Sequence, residues 1–183
     1  MKIFFTKRNK IMVLVILLVI IFFFGIKSYF KIDEQNAEVV EEARSFALNW
    51  LSYNEGLALA EKENKYVLID FYTDWCGYCK KMNKETYSNE EVKSILNKNF
   101  VIVKVNAESE NKVIENGEEI IERELAKSYQ VTGYPTTWFL ESNHNPIAPL
   151  PGYVTAEQFI PVLNYIGEGW YKSISFKEYM EKI

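Results

Sequence analysis

The feature that most constrains the fold is a continuous apolar run, YVLIDFYT at residues 66–73, followed closely by two cysteines three apart, Cys76 and Cys79. A run of this length, interrupted only by Asp70, predicts a strand covered on both faces of its sheet. A short helix is predicted after Trp75, so the cysteines fall where a buried strand hands over to a helix. Two cysteines at that spacing can close a disulfide. The first also meets the unsatisfied N–H groups and the positive end of the helix dipole, which stabilise a thiolate. Cys76 is then the expected nucleophile toward a partner's disulfide, and Cys79, one turn into the helix, the group that resolves the mixed disulfide. As a structural staple the pair would contribute only about 2 kcal/mol, because the loop it closes is so short. As a metal site it would offer two thiolates and His144, short of four ligands unless the protein dimerises, so no metal is expected.

Around this centre the pattern is that of a small α/β domain. Phe46, Leu48, Trp50 and Leu51 predict the start of a strand, and residues 54–64 a helix on alanine and leucine content. Ser88 with Glu91 reads as a capping box opening a helix that carries Val92, Ile95 and Leu96 on one face. Residues 100–106 (FVIVKVN) predict a second buried strand. Residues 107–119 are polar, contain Asn116-Gly117 and read as a loop or insertion, followed by a helix over 119–130. Residues 135–140 (PTTWFL) predict a third strand, and 147–150 a short final one after the SNHNP turn, where His144 reads as an exposed surface residue. Thr155 with Gln158 caps a further helix, either kinked by Pro161 or beginning there, and Ser175 with Glu178 caps the last. The order β-α-β, then α, β, β, α, implies a mixed central sheet flanked by helices.

Charge divides the chain. All six charges before Asp33 are positive (Lys2, Lys7, Arg8, Lys10, Lys27, Lys31), leaving 15 basic against 25 acidic residues, a net −10, in the remainder. So acidic a body is a poor nucleic-acid partner. Residues 11–26 carry no charge, and the apolar stretch extends to Phe30 if Lys27 snorkels. Twenty helical residues span a hydrocarbon core of roughly 30 Å. An all-round apolar helix preceded by KRNK does not suit a polar-edged core position, and residues 27–31 lack the small-residue pattern of a cleavage site. The expectation is an uncleaved signal anchor at 11–30 with a basic cytoplasmic N-terminus at 1–10, a tether at 31–44, and everything beyond outside the cytoplasmic membrane.

The segment DFYTDWCGYCK resembles the active-site segment of the thioredoxin superfamily, and the resemblance covers roughly residues 45–169, with a helical extension at 170–183. The resemblance implies that Asp70 is the buried aspartate assisting proton transfer from the resolving cysteine and Lys104 its lysine partner. It also implies that Gly133-Tyr134-Pro135-Thr136 is the loop whose cis-proline packs against the cysteines and presents its preceding backbone to the substrate. Gly152 is similar to the glycine after the last hairpin. Within the superfamily the chain is most similar to membrane-anchored extracytoplasmic thioredoxins and to the C-terminal domain of the bacterial periplasmic reductant transporter. It departs from cytoplasmic members at Tyr78, Tyr134, residues 107–119 and the C-terminal helix.

Each supporting residue also has its own physical reading. An unpaired carboxylate at Asp70 would be costly inside the sheet, so it should hold a raised pKa or lie near Lys104; strand alternation toward solvent is the alternative. Trp75 and Tyr134 suit an aromatic rim around Cys76 that docks a peptide, or else core packing. The acidic run 108–124 reads as a solvated face. Taken together, the expectation is a monomeric, membrane-tethered thiol-disulfide oxidoreductase that needs no cofactor. Held in the bacterial cytoplasmic membrane by a single pass, it reduces disulfide-bonded proteins in the periplasm or outside and is recharged by a membrane electron donor. The competing reading is a non-catalytic binding module, or a chaperone for a soft metal such as Cu(I).

Overall fold

The computed structural model describes residues 47–183. A four-stranded mixed sheet forms its centre, in the order β2-β1-β5-β6, with β1 (Tyr66–Tyr72) parallel to β2 (Phe100–Asn106) and antiparallel to β5 (Thr136–Leu140), which pairs with β6 (Pro146–Pro151). Period-two alternation sorts the apolar side chains onto the two faces. Val67, Ile69 and Phe71 of β1 join Val101, Val103 and Val105 of β2 beneath α1 (Tyr53–Glu63) and α4 (Glu122–Ser128). Leu68, Ile102 and Phe139 face the opposite layer of α2 (Gly77–Glu85), α3 (Glu90–Asn99) and α5 (Ala156–Gly167). The thioredoxin-like α/β architecture expected from the sequence is the one observed.

Close packing fixes α1. A Cβ on Gly56 would lie 2.1 Å from Val103 Cγ2, so only glycine lets the helix approach β2 at this point. The strand expected from Phe46 does not form among the described residues. Leu51 makes a single bridge to Val103, donating to the Ile102 carbonyl and accepting from the Lys104 N–H, and the chain turns into α1 at once.

Other expectations are corrected at element ends. The cap of α3 is Asn89, whose carboxamide oxygen accepts from the Glu91 and Val92 N–H groups, whereas the Ser88 hydroxyl donates back to the Lys84 carbonyl. Residues 107–119 are not a plain loop. They contain β3 (Lys112–Glu115) and the start of β4 (Glu118–Ile121), an antiparallel hairpin whose turn residues Asn116 and Gly117 both have positive φ, as a two-residue turn of this hand requires. Because residues 119–121 belong to β4, α4 is shorter at both ends than the periodicity suggested. The Asn54 side chain pins the hairpin to α1 through the backbone of Ile114, and the Tyr53 hydroxyl donates to the Glu115 carboxylate. Nor is His144 merely exposed. It is half-buried, and its ring Nε2 lies 3.1 Å from the Leu57 carbonyl, tying the β5–β6 turn to α1.

Capping boxes at Thr155 and Ser175 open α5 and α6 (Phe176–Met180) as expected, and Pro161 lies inside α5 instead of starting it. Half of β6 is proline. Among the described residues no helix is long and apolar enough to cross a membrane. The basic N-terminus, the anchor at 11–30 and the tether at 31–44 lie outside the described residues.

Candidate active site

The site is built where β1 ends. Cys76 is the N-cap of α2 and Cys79 sits in its first turn. They form a disulfide with their Cα atoms 5.3 Å apart, and the Cys79 N–H points at Cys76 Sγ at 3.0 Å. That N–H is one of the helix's unsatisfied donors, aimed at the sulfur on which negative charge would reside after reduction. Both cysteines are buried, so position on the helix distinguishes them more than exposure does.

The rim is aromatic. Trp75 is 67% exposed and Tyr78 63% exposed, flanking the disulfide. The Trp75 ring meets Tyr134 edge-on at 6.1 Å, and its indole N–H donates to the Glu108 carboxylate at 2.9 Å. Glu108 was read only as part of an acidic face. Its N–H in turn donates to Asn106, whose amide donates to Asp74, so the loop after β2 braces the segment before Cys76. The Tyr134–Pro135 peptide is cis, Pro135 is buried, and the Gly152 N–H donates to the Pro135 carbonyl at 2.8 Å. Gly152 has φ of 88°, which glycine adopts freely.

Behind the disulfide runs a polar row. Asp70 is in register with Lys104 on β2 and Thr137 on β5, and alternation places all three on the α2 side of the sheet. Asp70 is 2% exposed, so the buried reading holds and the solvent-facing one falls. Burial pushes its carboxyl up to about 6, against the opposing pull of the Lys104 ammonium. Lys104 Nζ lies 3.7 Å from Asp70 Oδ2, donates to Asn83 Oδ1 at 2.8 Å, and stands over the rings of Trp50 and Tyr72. Asn83 was not singled out from sequence. Its place one turn after Cys79 was the available signal.

A disulfide at a strand-to-helix junction, with a buried carboxyl behind it and a cis-proline loop alongside, defines a thioredoxin-fold thiol-disulfide oxidoreductase. Residues 53–167 match the Thioredoxin-like domain family, and the chain belongs to it. It is 33% identical over 138 residues to the thiol:disulfide interchange protein DsbD of Vibrio vulnificus, covering 74% of this chain and 22% of that protein. The chain thus spans about a fifth of the length of the curated relatives at the head of that comparison. Among solved structures it is similar to a thioredoxin from Thermus thermophilus (TM-score 0.55, 30% identity, 65% of this chain and 86% of that one). A thioredoxin-fold protein from Helicobacter pylori is comparably similar (TM-score 0.55, 27% identity, 66% and 84%).

Proposed function

We propose that this protein is a membrane-tethered, extracytoplasmic reductase of protein disulfides. The observation that carries the reading is Cys76 at the helix N-cap with the Asp70–Lys104 pair behind it. The Cys76 thiolate attacks one sulfur of a client disulfide, forming a mixed disulfide and releasing the other client sulfur as a thiolate. Cys79 gives its proton to Asp70 and attacks Cys76 Sγ, closing the Cys76–Cys79 disulfide and releasing the second client thiol. Two electrons pass to the client. A carboxyl held near pH 6 exchanges protons readily close to neutrality, which suits it to this transfer. Trp75, Tyr134 and the backbone before Pro135 receive the client chain around the scissile bond.

The reducing direction rests on Gly77-Tyr78, which places no cation between the cysteines to stabilise the reduced thiolate. The resemblance to DsbD supports a membrane electron donor that restores the dithiol, since the surroundings are oxidising. Equilibration of the purified chain with glutathione buffers should give a potential below roughly −180 mV. A value near about −120 mV would make it a disulfide donor instead.

Tethering rests on the uncharged stretch at 11–26 and its basic flank. Protease added to intact spheroplasts should digest the domain. Full protection, or a mature N-terminus after Ile26, would remove the anchor from the proposal.

A further inference from the structure

Among the described residues four buried side-chain oxygens have no hydrogen-bond partner, and three of them, Asp70 Oδ1, the Tyr87 hydroxyl and the Thr137 hydroxyl, belong to residues of the layer behind the disulfide. Tyr87 is 3% exposed, Thr137 1% and Asp70 2%, so solvent does not satisfy them. Their proximity follows from the fold. Thr137 is the register partner of Asp70 across the β1–β5 ladder and points to the same face as Phe139. Tyr87 follows α2 and enters that same layer, where burial, and after it the Asp70 carboxyl, push its phenol up. Its ring is locked edge-on against Trp50 at 4.9 Å and Phe159 at 6.0 Å, which fixes where the hydroxyl points. The other oxygen of Asp70 faces Lys104. One oxygen of the carboxyl thus has a cation beside it, while the other has no partner, with Thr137 across the ladder and Tyr87 in the same layer.

Such groups are seldom left unsatisfied in a native interior. Phenylalanine at 87 and valine at 137 would fill the same space without polar atoms. We propose that Tyr87, backed by Thr137, is a positioning residue for the exchange reaction: its hydroxyl holds Asp70 Oδ1, directly or through one bridging water, and sets how readily Asp70 takes the proton of Cys79. This deepens the reductase reading and rests on it for the identity of the proton donor. The groups facing Asp70 are then Lys104 from β2, Thr137 from β5, Tyr87 from the end of α2, and Tyr72 on its own strand, whose phenol also senses the carboxyl. A donor to the carboxylate favours its ionised form, so the hydroxyls keep more of Asp70 ionised, and able to take a proton, near neutrality than burial alone would allow.

The test uses the full chain in detergent and two readouts. One is the titration of Asp70, followed by the infrared carboxylic-acid band that Asp70→Asn abolishes. The other is the pH profile of mixed-disulfide resolution in single-turnover mixing with a disulfide peptide. Tyr87→Phe should move the Asp70 midpoint upward by about one pH unit and slow resolution about fivefold near pH 6 and about twofold near pH 7, with little change in the initial attack by Cys76. Thr137→Val should shift the midpoint in the same direction, and Thr137→Ser should restore the parent profile. An unchanged Asp70 midpoint in both Tyr87→Phe and Thr137→Val would overturn the assignment, whatever the turnover. Absence of peptide reduction by the parent protein would count instead against the reductase reading, and the infrared titration would still decide the role of Tyr87.

Discussion

Cys79→Ala should convert the protein from a turnover catalyst into a trap: a stable mixed disulfide through Cys76 accumulates with each client, and steady-state reduction of a disulfide substrate falls to background. Cys76→Ser should abolish reduction without trapping anything. The asymmetry follows from the helix, because only Cys76 occupies the N-cap, with the Cys79 N–H aimed at its sulfur. Non-reducing gels followed by peptide mapping of the adducts check it. Preferential trapping through Cys79 in a Cys76→Ser variant would exchange the nucleophile and the resolver. In the reduced parent, limited alkylation should therefore label Cys76 first.

Asp70→Asn should stabilise the oxidised protein above neutral pH by ~2–3 kcal/mol, while slowing resolution of the mixed disulfide. The native carboxyl titrates near 6 against an ordinary aspartate value of 3.8, so folding favours its protonated form. Its contribution is most favourable below about 3.8 and is lost as the pH rises through about 6, where the fold must hold a buried anion. Asparagine keeps the shape and cannot ionise. Urea unfolding at pH 4 and pH 8 should show the variant's advantage at the higher pH and little difference at the lower. A constant difference at both would show that Asp70 titrates alike in the folded and unfolded chains. On the proposed mechanism the residue would trade stability for chemistry.

The central strand, the helix after Trp75 and Asp70 inside its apolar run were legible in the sequence because each is a local contrast, whereas Lys104 as the partner of Asp70 came from the resemblance. An apolar run of strand length is hard to read otherwise, and a charge inside it must find company. The β3–β4 hairpin was not legible. Its strands are four residues each, and Val113 is the buried side chain of β3, so no period emerges, although Asn116-Gly117 marked the turn. Read from sequence, the start of α3 falls one residue early, at Ser88, because Asn89 beside it is as competent a cap and is the one that accepts from the Glu91 and Val92 N–H groups. Glu108, Thr137 and Tyr87 matter only through pairings that the tertiary fold creates. Thr137 lay within reach of inference, since alternation from Phe139 turns it inward, but its neighbour across the ladder could not be named without the register.

The two flanks of the central sheet have a consequence for the company this protein keeps. On the β2 side, Leu51 already occupies backbone groups of Ile102 and Lys104, and on the other side the prolines at 146, 149 and 151 leave β6 without half of its amide donors. A reductase of protein disulfides, as proposed above, would be continually offered stray strands. A long unguarded margin would let them zip on and seed aggregates. Here neither margin offers an uninterrupted template. On the proposed function, engagement with a client would be left to the rim around Cys76 and would end when the sulfur–sulfur bond between them is broken.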